Sequence, residues 1–270
     1  MSLFFEIDNS LSPFNPESTV SKINNCISDS IDHHFNKVYN KSKLTYSQTG
    51  GLFDPTLAPL IRAWGFGQGH KVSSDTLNID SLLNFVGINK TKIEGYRLVK
   101  ENPEIEFNFS ALAKGYGVDC IAEMFLRNGV RNYLVEIGGE IRCSGMSPSN
   151  KSWQIGIDRP ENGVSPGNII TTISLSDSAL ATSGNYRHFH ELNGKKFGHT
   201  ISPITGKPLA TDVISASIVA PTCMEADAFA TCCMALGSKK SIELCDSLHL
   251  GVMLILNDMH ILTNQYFPSK

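Results

Sequence analysis

The run Asn108-Phe-Ser-Ala-Leu-Ala-Lys-Gly-Tyr-Gly-Val-Asp119 places small residues, one lysine and two glycines where a helix is expected to begin. Small side chains let a ligand approach the backbone, free N–H groups at a helix start attract anions, and Lys114 supplies the countercharge. A phosphate site is built this way, although an ordinary capped helix with close packing uses the same residues. A second pattern lies in Thr222-Cys-Met-Glu-Ala-Asp-Ala-Phe-Ala-Thr231. Asp227 and Thr231, four apart on a predicted helix, project a carboxylate and a hydroxyl from one face among Ala226, Ala228 and Ala230. A buried carboxylate there needs a partner, and a hard cation taking oxygen ligands is one. The other reading is a solvent-facing Asp227 that favours the helix dipole. His199, in Gly198-His-Thr-Ile-Ser-Pro203 before the Thr205-Gly206 turn, suits either a general base near neutral pH or a satisfied structural role. Ala181-Thr-Ser-Gly-Asn-Tyr-Arg187 reads as a loop donating hydrogen bonds to an oxyanion or ring, or as a plain surface turn. His188 and His190 alternate as ligands on a strand would, with no further ligand nearby.

The rest of the chain must position these groups. With 270 residues, 41% hydrophobic and 18% charged, it is long enough for a substantial core, and one domain is expected. A formal net charge of -3, with no block of lysine and arginine, argues against nucleic acid as a partner. The apolar run from Leu250 to Leu256 falls far short of the roughly 20 residues of a membrane span. The opening Met-Ser-Leu-Phe-Phe-Glu-Ile-Asp has no basic stretch followed by an apolar one, so no signal peptide is expected in it. Cysteines 26, 120, 143, 223, 232, 233 and 245 form no C-x-x-C pair, and several sit in apolar patterns. They read as buried free thiols and suggest a reducing compartment. No G-x-S-x-G elbow, Walker lysine loop or G-x-G-x-x-G occurs, so serine hydrolase, P-loop and Rossmann readings lack their signatures.

Val20, Ile23, Ile27, Ile31, Phe35 and Val38 recur at helical spacing over 18–39, predicting one or two helices. Asp54 is placed as an N-cap, with Pro55 opening a helix that carries Leu57, Leu60, Ile61 and Trp64 until Gly65. Residues 74–94 suggest a helix and a turn, and 96–107 a strand pair. The helix begun by the opening run buries Val118, Ile121, Ala122 and Phe125 and stops at Asn128-Gly129. Residues 133–137 and 140–143 form a hairpin around Gly138-Gly139, and 153–157 and 169–175 are two further strands. Residues 213–219 form a strand, 224–236 a helix ended by Gly237, and 250–256 with 261–262 a closing hairpin. Helices interleave with hairpins without β-α-β regularity, so the expected class is α+β with mixed or antiparallel sheets.

Taken in order, these segments resemble the ApbE family, flavin transferases that attach FMN from FAD covalently to other proteins. The resemblance spans one domain over residues 4–270. It rests on Ser12-Pro-Phe-Asn-Pro-Glu-Ser18 with Ile23-Asn24, Gly51-Leu-Phe-Asp-Pro-Thr56 through Trp64-Gly-Phe-Gly67, and Ser110-Ala-Leu-Ala-Lys-Gly-Tyr-Gly-Val-Asp119. It continues with Tyr133-Leu-Val-Glu-Ile-Gly-Gly-Glu140, Ala181-Thr-Ser-Gly-Asn-Tyr-Arg187, His199-Thr-Ile-Ser-Pro203 with Thr205-Gly-Lys-Pro208, and Glu225-Ala-Asp-Ala-Phe-Ala-Thr231. It implies that the carbonyl of Ala111, the carboxylate of Asp227 and the hydroxyl of Thr231 bind Mg²⁺ beside the FAD pyrophosphate. Lys114 would contact the phosphates. Trp64, Gly65, Phe66, Gly67 and Asn108 would line the flavin or adenine pocket, with Ile201 packed on the cofactor. A threonine or serine hydroxyl of an acceptor flavoprotein would attack the FMN phosphorus, with His199 as its base and AMP leaving.

The family usually opens with a strand carrying Met-Gly-Thr that closes over the flavin, and here the chain begins after it. Asn108 and Ser202 stand where aspartate is common, which bears on binding strength more than on reaction class. Family members are commonly exported bacterial lipoproteins, and no lipobox occurs here. The resemblance implies the cell envelope, on the periplasmic side of the inner membrane, with membrane attachment only through such an anchor. The free thiols pull toward the cytoplasm. The acceptor in the family is often a membrane redox-pump subunit. Two alternatives are an FAD pyrophosphatase releasing FMN and AMP, and a non-catalytic flavin-binding protein.

Overall fold

The computed structural model describes residues 2–66, 78–160, 167–184, 189–192, 195–198 and 200–268. The chain divides into two compact units, residues 1–113 with 199–209 and residues 114–198 with 210–270.

The first unit carries α1 (Leu3–Leu11), α2 (Thr19–Asn24), α3 (His33–Gln48), α4 (Ala58–Ala63), α5 (Ile79–Leu83) and the hairpin β1 (Thr91–Glu94) with β2 (Arg97–Lys100). The periodic stretch over 18–39 resolves into α2 and α3, each started by a side-chain cap: Ser18 accepts from the Ser21 N–H and Asp32 from the Phe35 N–H. Helix α1 was not expected. It buries only Ile7, Ser10 and Leu11 and leaves Phe4 and Phe5 exposed, so its apolar stripe is thin. The expected strand pair over 96–107 is shifted: Thr91–Glu94 pairs with Arg97–Lys100 around the Gly95-Tyr96 turn. Residues 102–107 form no strand, and the ammonium of Lys100 donates to the carbonyls of Ile23, Pro103 and Ile105 at 3.1, 2.7 and 3.0 Å. The rings of Phe35, Phe107 and Phe109, with Tyr39 beside them, form the centre of this unit's core.

The second unit carries α6 (Ala113–Arg127), β3 (Tyr133–Ile137), β4 (Glu140–Ser144), β5 (Trp153–Asp158), β6 (Ile169–Leu175) and β7 (Ser178–Gly184). It continues with β8 (Phe189–Leu192), β9 (Lys195–Gly198), β10 (Val213–Ala220), α7 (Cys223–Leu236), α8 (Ser238–Ser247), β11 (Gly251–Leu256) and β12 (Ile261–Thr263). The main sheet runs β12-β11-β10-β7-β4-β3, and its neighbours pair antiparallel. Alternation gives each strand two faces. Ile141, Cys143, Leu180, Met253 and Ile255 pack under the β5–β6 hairpin with Ile155, Ile157, Ile173 and Leu175. On the opposite face Val135, Tyr133 and Ala179 meet Val118 and Ala122 of α6 and Cys223 of α7. The class is α+β, as the interleaving of hairpins and helices predicted.

Three local expectations are corrected. Ala181 to Gly184 are not loop but the end of β7, central in the sheet between β4 and β10. Their small side chains hid the strand, because they let α7 pack closely on β7. The helix expected from the opening run starts at Ala113, after a turn in which the Leu112 and Ala113 N–H groups both bond to the Phe109 carbonyl. Helix α8 was not expected, since it buries only Ser241 and Cys245. The cysteines are free thiols, with 143, 223, 232, 233 and 245 buried. No helix among the described residues is long and apolar enough to cross a membrane.

Candidate phosphate and metal-binding site

In the first unit, α4 ends where Gly65 takes φ 75°. The Gly65 and Phe66 N–H groups bond back to Arg62 and Ile61, a Schellman closure that only a left-handed residue at Gly65 permits. Trp64 and Phe66, which flank that glycine, pack with Ile201 on the Leu60–Val86 cluster. Ile201 is buried in that cluster, and the Trp64 indole N–H donates to the Gly206 carbonyl at 2.7 Å. The Thr200 to Leu209 turn is closed by Leu209 N–H to Thr200 and Ser202 N–H to Lys207. Ser202 spends its hydroxyl on the Ile204 and Thr205 N–H groups. Gly67, His199 and the 185–188 segment with His188 lie outside the described residues, as does the side chain of His190.

Asn108 is half-buried at the end of a clamped extended segment. Asn24 pairs with the Phe107 main chain like a strand partner, at 2.8 and 2.7 Å, and the Asn108 N–H donates to Pro55. The Asn108 side chain accepts from the Ser110 N–H at 2.9 Å, an Asx turn that launches the bend through Ala111. Asp54, expected as an N-cap, is instead a buried hub. It accepts from the Thr56 N–H and hydroxyl and the Ile88 N–H, while α4 starts only at Ala58. These three hydrogen bonds, from Thr56 and Ile88, make it structural.

In the second unit, α6 and α7 exchange carboxylates at their first turns. Asp227 accepts from the Gly115 N–H at 3.0 Å, and Asp119 accepts from the Cys223 and Met224 N–H groups at 2.9 Å each. Each thereby fills orphan donors at the other helix's N-terminus. Gly115 permits the approach, since a Cβ there would stand 2.3 Å from the Cys223 carbonyl oxygen. Asp119 also pairs with Arg142 at 2.8 Å. Lys114 pairs with Glu140 at 2.6 Å, and the Thr231 hydroxyl lies 3.3 Å from that of Ser183 on β7.

Asp227 is 4% exposed. Burial first, and the charge of Glu140 second, push its carboxyl up to about 7. Asp119 and Glu140 are also pushed up by burial, against the pull of their cations and N–H donors. The Cys223 thiol beside them is driven far above its ordinary range by burial and stays protonated. Thiolate is therefore absent from this corner, and the donors offered are a carboxylate and a hydroxyl. No group of three or more His, Cys, Asp or Glu side chains that could hold a metal forms among the described residues. A buried carboxylate that ionises reluctantly, one helical turn from a hydroxyl, fits a hard oxygen-seeking cation.

The ApbE family model matches residues 1–256. The chain belongs to the ApbE family. The FAD:protein FMN transferase of Vibrio cholerae is 33% identical over 261 residues, 94% of this chain and 77% of that protein. The Haemophilus influenzae FAD:protein FMN transferase is 35% identical over 258 residues, 93% and 73% of the two. The solved flavin transferase ApbE from Vibrio cholerae superposes with a TM-score of 0.84 at 29% identity, covering 98% of this chain and 86% of that one.

Within this ApbE-family chain, Trp64, Phe66 and Ile201 come together in the first unit, where Asn108 and Ala111 also belong. Lys114, Asp227 and Thr231 belong to the second. Sequence reasoning missed Asp119, Arg142 and Glu140. The alternation of Glu140 and Arg142 against Ile141 and Cys143 was the available signal, but it names no partner on α6.

Proposed function

We propose that this protein transfers FMN from FAD to a threonine or serine hydroxyl of an acceptor protein; its relatives are named FAD:protein FMN transferases. The observation that carries this reading is the Lys114–Asp227 corner, where an ammonium and a cation-seeking carboxylate flank the first turn of α6. Asp227 and Thr231 would supply oxygen ligands to Mg²⁺, and the family resemblance implies a third from the carbonyl of Ala111. That ion would supply Lewis-acid stabilisation of charge on phosphoryl oxygens. Lys114 holds the donor's phosphates and offsets the negative charge that grows on them in the transition state. The acceptor oxygen forms a bond to the FMN phosphorus as the bond from that phosphorus to AMP breaks. The acceptor proton passes to His199, and AMP departs with the electron pair of the broken bond. Trp64, Gly65, Phe66, Gly67, Asn108 and Ile201 are assigned to hold and shape the flavin or adenine end. The acceptor we expect is a membrane redox-pump subunit met at the cell envelope.

Incubation with FAD, Mg²⁺ and a threonine-bearing acceptor, followed by separation of products, tests the reading. Covalent flavin on the acceptor is expected. Free FMN without label would indicate a pyrophosphatase, and intact FAD a flavin-binding protein. Asp227→Ala is expected to abolish metal-dependent turnover, and unchanged activity would remove Asp227 from the metal site.

A further inference from the structure

Glu140 opens β4 immediately after the Gly138-Gly139 turn, on the sheet face that carries Arg142. Its side chain is 2% exposed, whereas that of Lys114 is 51% exposed. One carboxylate oxygen accepts from the Lys114 Nζ at 2.6 Å, and the other is buried with no hydrogen-bond partner among the described residues. Arg142, the other cation on this face, is engaged by Asp119.

This is a poor arrangement for stability. A half-exposed lysine gains little from an ion pair, and a buried carboxylate with an orphan oxygen costs more than an apolar side chain would. It is a good arrangement for fixing a cation, because a lysine on four rotatable methylenes otherwise wanders in solvent. An ammonium has three donors, and Glu140 occupies one of them from the buried side. We propose that Glu140 is a positioning residue for Lys114, anchoring the ammonium from below so that its remaining donors face the donor's pyrophosphate. This rests on the reading of Lys114 as the phosphate contact. Preorganised charge of this kind acts without reorganisation at the moment of reaction.

The test compares the full chain with Glu140→Gln, Glu140→Asp, Lys114→Ala and the Lys114→Ala/Glu140→Gln double variant. FAD affinity is read by flavin fluorescence with Mg²⁺ present, kcat and KM by AMP release, and folding by thermal melting. Glu140→Gln is expected to weaken FAD binding about tenfold, the worth of one charge-assisted hydrogen bond, with melting little changed. Glu140→Asp recovers part of that loss by restoring the charge. In the Lys114→Ala background, Glu140→Gln changes affinity and kcat/KM by less than about twofold, because the residue through which it acts is gone. Losses that multiply in the double variant would overturn the proposal, as would wild-type FAD affinity in Glu140→Gln alongside a clear loss in Lys114→Ala. Wild-type affinity in Lys114→Ala would instead remove Lys114 from the phosphates, and the proposal with it.

Discussion

Helix α6 sends two charged residues to strand β4, and the two ion pairs they make end differently. Asp119 meets Arg142 with both side chains largely buried, and its two oxygens also receive the Cys223 and Met224 N–H groups. Both oxygens of that carboxylate are partnered within the fold. Lys114 meets Glu140 with the lysine half exposed and one carboxylate oxygen unpartnered among the described residues. The first pair fastens α7 to α6; the second leaves a cation facing outward on a fixed base. A satisfied buried network marks structure, and the incompletely satisfied one at the start of α6 is where the proposed phosphate contact sits.

Breaking the structural pair should have the largest effect on folding. Asp119→Ala strands Arg142 and uncovers two N–H groups of α7, and is expected to cost about 3–5 kcal/mol in urea denaturation. A loss below about 1 kcal/mol would show that the pair is not a fastening. Gly115→Ala presses a methyl against the Cys223 carbonyl and the Met224 nitrogen. The expected loss is about 1–3 kcal/mol, read from the thermal midpoint, with Mg²⁺-dependent FAD binding weakened because Asp227 rides on the displaced helix.

The contrasting variant is Glu140→Gln, whose stability is expected to stay within about 1 kcal/mol of wild type, since Lys114 returns to water unaided. A loss as large as that of Asp119→Ala would erase the distinction between the two pairs. The smallest effect is on pH dependence. Burial holds the Glu140 carboxyl above the ordinary glutamate range, so the native state binds that proton more tightly than the unfolded chain. Its contribution therefore favours folding below the unfolded pKa and fades as pH rises through the folded one. Glu140→Gln should flatten the stability profile across that window, and an unchanged slope would place the titration elsewhere.

Where side-chain pattern and backbone agree, the elements were legible. Val118, Ile121, Ala122 and Phe125 marked the buried face of α6, and Gly129 and Gly237 marked the ends of α6 and α7. Strand β7 was not legible, because Ala179, Ala181 and Ser183 are small enough for close packing under α7, and with Thr182 between them the run carries no strong apolar alternation. At the site, Lys114, Asp227 and Thr231 stood out by type and spacing. Asp119 and Glu140 did not, since their partners lie at sequence separations of 23 and 26 and only the folded sheet joins them. Asn24 and Asp54 show the converse. Both sit in motifs that suggest chemistry, and both spend their polar atoms on backbone clamps.

The most direct measurement is the ratio of AMP released to flavin covalently attached when the protein turns over FAD with Mg²⁺ and a threonine-bearing acceptor, the latter read by intact mass. FMN transfer predicts one AMP for each flavin gained by the acceptor, and neither product when Asp227 is replaced by alanine. AMP accumulating without any mass gain on the acceptor would contradict it.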